Sequence, residues 1–190
     1  MTFKKLHIAG PDLSSYELGE PMFVHDRGRF LGRVEPVEVS PDRSEVRISR
    51  FLPSPSLRTE PRNFGPLLLV EVTMFMAEHL PTIQNVHFAL TREIEIYGDG
   101  MMVASARVEL LRSIGAADVH AQPKPDSSNP GNFVVQGVWA YTERNLAALR
   151  LALTMQRELY RKHLASAPKQ ERPVSLLSRF RQWLAGDDDA

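Results

Sequence analysis

The chain contains no cysteine, and neither sign of charge predominates in its 190 residues. Without cysteine it has no disulfide, no thiolate zinc site and no cysteine nucleophile. Lys+Arg and Asp+Glu number 23 each, so the formal net charge is zero. A protein with no basic excess is a poor candidate for nucleic-acid binding. The N-terminal residues show no apolar run of signal-peptide length, so we expect a cytoplasmic protein.

The usual catalytic and nucleotide-binding signatures are also missing. The sequence has no Gly-x-Ser-x-Gly elbow, no Walker loop and no Gly-x-Gly-x-x-Gly run. Its six histidines are scattered and none has ligand spacing, so we expect neither a metal site nor a cofactor. Function must therefore be inferred from the hydrophobic pattern and from isolated charged residues.

The most hydrophobic stretch is Pro66 to Leu80, which is apolar almost all round and contains a lone carboxylate, Glu71. Such a stretch is either a helix surrounded by protein or a fully buried strand. Pro66 suits the first helical position and Pro81 would end a helix, which favours the helix. A bilayer span needs about 20 apolar residues, so membrane insertion is not expected.

Alternating apolar residues and turn signals predict strands around this helix. We expect one hairpin turning at Gly28 and a second turning at Ser40 to Arg43. Gly98-Asp99-Gly100 predicts a third hairpin, joining strands Val86 to Tyr97 and Met101 to Ile114. Three segments complete the prediction: a loop, a strand and a long helix, over Asp118 to Gly131, Asn132 to Tyr141, and Thr142 or Glu143 to about His163.

This order of elements predicts an α+β fold in one domain, residues 1–165, followed by a linker and an amphipathic tail, residues 166–190. In the tail, five apolar residues share one face of a predicted helix: Leu176, Leu177, Phe180, Trp183 and Leu184. Residues 174–184 are therefore a candidate for binding a protein partner, with packing on the chain's own domain or on a dimer mate as the alternative. The Asp187-Asp188-Asp189 run argues against anionic lipid.

The segment Gly65 to Val72, GPLLLVEV, resembles the start of the central helix in hotdog-fold acyl-thioester dehydratases, and is also similar to the hotdog domains of butyrolactone-signal synthases. The resemblance implies an antiparallel sheet wrapped around a hydrophobic central helix, with an added C-terminal helix, in a homodimer. It further implies a thioesterase-like or dehydratase-like enzyme acting on acyl-CoA or acyl carrier protein. One residue departs from the pattern, because Leu57 stands where the dehydratases have a histidine.

The resemblance places Glu71 at the catalytic glutamate, and burial suits a carboxylate for general acid–base work. The alternative is a structural glutamate that faces a partner subunit or pairs with an arginine such as Arg58 or Arg62. Supporting side chains are predicted at Glu78, His79, His25 and Asp26, each of which also has an ordinary structural explanation at a helix end or a turn. Three arginines are candidates for contacts to carrier phosphates: Arg58, Arg62 and Arg92. The rival function is a noncatalytic chaperone or assembly factor.

Overall fold

The computed structural model describes residues 6–54, 65–92, 100–125 and 127–166. Within these ranges the chain forms two β-sheets and three α-helices, the last helix being C-terminal, so the predicted α+β class is confirmed. The predicted phosphate contacts Arg58 and Arg62 and the tail segment 174–184 lie outside the described residues.

The first sheet has four antiparallel strands in the order β1-β2-β3-β6. Its strands are β1 (His7–Ala9), β2 (Met22–Asp26), β3 (Arg29–Val34) and β6 (Phe51–Pro53), with a short 3₁₀ turn at Pro11–Leu13. The hairpin predicted at Gly28 is confirmed. Arg27 and Gly28 have φ values of 50° and 82°, the left-handed conformation that a two-residue hairpin turn requires.

The second sheet has five strands in the order β4-β5-β7-β9-β8. They are β4 (Glu38–Val39), β5 (Glu45–Ile48), β7 (Asn85–Arg92), β8 (Ala117–Pro123) and β9 (Phe133–Ala140). The β4–β5 hairpin and strand β9 match the sequence predictions. All pairs are antiparallel except β5 and β7, which are parallel and therefore need a crossover connection.

The three helices are α1 (Gly65–His79), α2 (Gly100–Ser113) and α3 (Glu143–Ser166). Helix α1 lies in the crossover between β5 and β7, and every residue from Leu67 to Met74 is buried. The predicted helix surrounded by protein is confirmed, and the alternative of a buried strand is wrong. The long helix predicted after Thr142 is also confirmed as α3, which packs against α1.

Two sequence predictions are wrong in the segment after β7. Met101 to Ile114 was expected to be a strand, but α2 occupies it. Its buried positions Ala104 and Leu111 are seven residues apart, which is two helical turns, and it is rich in good helix formers. Part of the loop expected from Asp118 onward is strand β8. The structure also does not show one antiparallel sheet wrapped around α1, because the strands divide between two sheets.

Trp139 is the largest fully buried side chain among the described residues and fixes the place where α2 ends against the second sheet. Its indole Nε1 donates a hydrogen bond of 2.7 Å to the backbone oxygen of Ile114. Tyr141 packs edge-on against the indole, with ring centroids 4.9 Å apart. The Tyr141 hydroxyl is buried without a hydrogen-bond partner among the described residues, and burial raises the pKa of Tyr141.

We expect substitution by phenylalanine to have different effects on stability at Trp139 and at Tyr141. Trp139→Phe leaves the Ile114 carbonyl unpaired and should lower the free energy of unfolding by about 2 kcal/mol or more. Tyr141→Phe removes a buried hydroxyl that has no described partner and should be neutral or stabilising. Urea unfolding followed by circular dichroism measures both. A Tyr141→Phe loss as large as that of Trp139→Phe would contradict the assigned packing.

Candidate functional site

The parallel strands β5 and β7 part after four paired residues. Their register runs from Glu45 opposite Asn85 to Ile48 opposite Phe88. The Ser49 carbonyl then accepts hydrogen bonds from the backbone N–H of Thr91 (3.4 Å) and from its hydroxyl (3.3 Å).

The next carbonyl, that of Arg50, belongs to the other sheet. It accepts a hydrogen bond of 3.1 Å from the Glu35 N–H, and the Ser54 N–H donates to the Leu31 oxygen. Strand β6 therefore pairs with β3, while β7 continues along β9 as far as Arg92. No pairing between β6 and β7 is found among the described residues. The two strands thus part beyond the Ser49–Thr91 bonds, and the place between Phe51–Pro53 and the end of β7 at Arg92 is called the strand gap below.

Backbone polar groups face the strand gap from β6. Because Arg50 and Ser54 both bond toward β3, strand alternation turns the N–H and C=O of Phe51 away from β3 and toward the gap. An extended ligand with amide groups can pair with such open strand edges in the way that a peptide adds to a sheet.

The N-terminus of α1 lies at the same end of the molecule as the strand gap. Helix α1 ends at His79, a few residues before β7 begins at Asn85, so its N-terminus points toward the carboxyl ends of the parallel strands. The first N–H groups of a helix have no acceptor within it and carry the positive end of the helix dipole. No acidic residue occupies the first turn of α1. This end of the molecule therefore suits an anionic group.

Glu71 is buried, with a side-chain exposure of 1%, and is paired with Arg157 of α3. The two nitrogens Nε and Nη2 donate to Oε1 and Oε2 at 2.6 and 2.8 Å, a bidentate ion pair. Sequence reasoning offered Arg58 or Arg62 as partner and missed Arg157. The available signal was an arginine near the apolar face of a helix, but nothing in the sequence indicates that this helix packs on α1.

A second polar bridge starts from the same face of α3. Tyr160, three residues after Arg157, donates a hydrogen bond of 2.9 Å from its hydroxyl to the Asp26 carboxylate at the end of β2. Strand β2 runs in the same direction as β6, since both are antiparallel to β3. The structure thus brings the predicted residues Glu71 and Asp26 into contact with one face of α3.

His25 lies beside this bridge, at the end of β2. Its ring centroid is 5.4 Å from that of Phe30 and 6.4 Å from that of His7. Its Nδ1 is buried without a hydrogen-bond partner among the described residues. Burial, and after it the charge of His7, lowers the pKa of His25 below its ordinary value of 6.5.

The other predicted residues lie elsewhere. Glu78 and His79 are at the C-terminal end of α1, about 12 Å along the helix from Glu71. His79 stacks on Phe75 with ring centroids 4.5 Å apart, and lines an open cavity together with Glu17 and Arg43. Arg92 ends β7, and its side chain is not described. In the described ranges no three carboxylate or histidine side chains converge as metal ligands, and no helix has the length and apolarity to span a membrane.

No family model and no curated protein matches the chain. Among solved structures, the N-terminal domain of ribosomal-protein-alanine acetyltransferase from Clostridium acetobutylicum is similar, with a TM-score of 0.47, 14% identity, and coverage of 75% of this chain and 95% of that one. A GNAT-family acetyltransferase from Streptococcus pneumoniae gives a TM-score of 0.43, 14% identity, and coverage of 67% and 70%. The CoA-dependent acyl-homoserine lactone synthase MesI gives 0.40, 16% identity, and coverage of 78% and 77%.

The expected hotdog fold is wrong. The described strands form two sheets, the second of which contains the parallel pair β5–β7, rather than one antiparallel sheet around α1. The apolar run with one glutamate that suggested the resemblance is explained by a helix buried on all sides, whose glutamate is neutralised by Arg157.

The Glu71–Arg157 pair predicts a specific pattern in a double-mutant cycle. Arg157→Met leaves a buried carboxylate without its partner and should lower the free energy of unfolding by about 3 kcal/mol, the low end for buried pairs because Arg157 is partly exposed. The double variant Glu71→Leu, Arg157→Met should recover most of that loss. Urea unfolding measures the cycle, and additive single losses would contradict direct coupling of the two residues.

The environment of His25 predicts that stability falls as the pH is lowered through about 6.5. The folded-state pKa is below the unfolded value, so the unfolded chain binds the additional proton first. His25→Gln should make the free energy of unfolding less dependent on pH between 7.5 and 5. Urea titrations at several pH values test this, and an unchanged pH dependence would rule out His25 as a contributor.

Proposed function

We propose that the protein binds an acyl thioester of coenzyme A in the strand gap and transfers its acyl group to a nucleophile. The observation that carries this proposal is the parting of β5 and β7 after Ser49 at the end of the molecule where α1 begins. Such an opening combines an extended polar slot with the positive end of a helix. A phosphopantetheine thioester has the complementary features, an extended arm with two amides that ends in phosphate groups.

The pantetheine arm fits the slot by strand-like pairing. Phe51 presents its backbone N–H and C=O to the gap, and on the other side β7 continues past Thr91 with β9 as its partner. The arm would take the place of a strand between them, as in β-augmentation. The half-buried Phe51 and Leu52 side chains flank this slot with apolar surface.

The phosphates belong at the N-terminus of α1 in this arrangement. The helix dipole and the first-turn N–H groups favour an anion there. Contacts from Arg58, Arg62 and Arg92 to the phosphates stay predictions, and Arg92 is placed at the end of β7, where the gap opens.

Catalysis by Glu71 also stays a prediction. Its carboxylate is held by Arg157 at 2.6 Å, so we propose that its first role is to fix α3 on α1 behind the gap. In that role Glu71→Gln would lower the stability of the fold more than it lowers the rate of the chemical step. If Glu71 were a general base, the same substitution would abolish turnover while the stability of the fold was retained.

Binding is tested with a charge placed at the N-terminus of α1. Pro66 is half-buried in the first helical turn, and an acidic residue there agrees with the helix dipole, so Pro66→Glu should not unfold the protein. It should weaken CoA binding about tenfold, since about 1.4 kcal/mol of repulsion is a factor of ten. Isothermal titration calorimetry with CoA and with acetyl-, hexanoyl- and decanoyl-CoA measures the effect.

Ala147→Glu is the matched control. It places the same charge at an exposed position near the N-terminus of α3, which begins at the opposite end of the second sheet, since the Tyr141 N–H donates to the Gln84 oxygen just ahead of β7. Its CoA affinity should equal that of the wild type. Absence of CoA binding by the wild-type protein, or equal weakening in both variants, would overturn the placement of the site.

The chemical step is tested by mass spectrometry of acyl-CoA incubated with amine acceptors and without them. Transfer predicts an acylated acceptor and free CoA in equal amounts, whereas hydrolysis yields the free acid. Glu71→Gln should keep measurable turnover once its lower stability is corrected for. Complete loss of turnover in a folded Glu71→Gln protein would instead assign Glu71 to the reaction.

A further inference from the structure

Helix α3 carries an apolar stripe that nothing in the described residues covers. Leu151, Met155 and Leu159 follow each other at four-residue spacing and are 65%, 57% and 51% exposed. The opposite face of α3 is occupied, with Leu149, Leu153 and Tyr160 in the core. Three large apolar side chains in a row on a helix surface indicate a binding surface.

The chain itself supplies a segment of matching pattern. Beyond Ser166, where α3 ends, five apolar residues fall on one face of a predicted helix: Leu176, Leu177, Phe180, Trp183 and Leu184. From position 176 to position 184 such a helix measures about 12 Å, the same length as the stripe from Leu151 to Leu159. The two surfaces are both apolar and equally long.

The connecting residues are long enough for the segment to return along α3. Seven residues, Ala167 to Pro173, separate the end of α3 from Val174, and they span up to about 24 Å when extended. The distance back along α3 from Ser166 to Met155 is about 17 Å. An antiparallel pair of helices with a short connection is a common arrangement.

Charge favours the same direction. In an antiparallel arrangement the acidic run Asp187 to Asp189 approaches the N-terminal half of α3. Arg144 and Arg150 are exposed in that half, and the N-terminus of α3 carries the positive end of its dipole. A parallel arrangement would instead bring the acidic run to the C-terminal end of α3, where Arg161 and Lys162 are exposed but the helix dipole is negative.

We propose that residues 174–184 dock in cis, antiparallel, on the Leu151–Met155–Leu159 stripe of α3. The docked segment covers the back of the helix whose other face holds Glu71 and Asp26 through Arg157 and Tyr160. This inference concerns packing of the chain on itself and does not depend on acyl-thioester binding.

Tryptophan fluorescence in the full-length protein tests the docking, because the chain has two tryptophans and Trp139 is fully buried. Acrylamide quenching is measured for the wild type and for Trp183→Phe, and the difference reports Trp183. Docking predicts that Trp183 is quenched several-fold less than free tryptophan amide. Met155→Asp should restore full quenching, and Thr154→Asp, about 100° around the helix, should not.

Sedimentation velocity in the same buffers separates docking in cis from contact between copies. The proposal predicts that the protection of Trp183 is independent of protein concentration. It also predicts that the wild type and Met155→Asp sediment as the same oligomeric species. Full quenching of Trp183 in the wild type would overturn the proposal. So would protection that is unchanged by Met155→Asp, or protection that appears only together with dimerisation, since a second copy would then cover the stripe.

Discussion

The architecture depends on one pair of adjacent carbonyls at the end of β5. The Ser49 carbonyl is held by Thr91 in the second sheet, while the Arg50 carbonyl is held by Glu35 in the first sheet. Successive carbonyls of a strand point to opposite sides, so these two neighbours bond to different sheets, and beyond them the chain pairs with β3 and no longer with β7 among the described residues. The strand gap is the direct consequence, and so is the position of α1 at its end.

Helix α3 holds α1 and the first sheet together through residues on one of its faces. Arg157 reaches α1 through Glu71, and Tyr160 reaches the first sheet through Asp26. A buried ion pair is weak evidence for stability in itself, but it strongly penalises any arrangement in which one partner is left alone. The ion pair and the Tyr160–Asp26 hydrogen bond therefore specify how α3 lies on α1 and on the first sheet.

The sequence was sufficient where local rules decide the structure. Proline at both ends and apolar residues on every side identified α1, Gly28 identified a hairpin, and the apolar spacing after Thr142 identified α3. It failed at α2, because Gly98-Asp99-Gly100 predicted a hairpin turn while the helix propensity of the following residues prevailed. The Arg157 partner of Glu71, 86 residues away, and the change of sheet at Arg50 are tertiary and have no local signature.

Hydrogen–deuterium exchange with and without CoA tests the central claim, that a thioester carrier lies in the strand gap. Slower exchange is predicted at three places together: the amide of Phe51, which faces the gap, the amide of Thr91, whose bond to Ser49 borders it, and the amides of the first turn of α1. The exchange rates around the open cavity lined by Glu17, Arg43 and His79 should not change. Protection at that cavity with none at the gap would contradict the account.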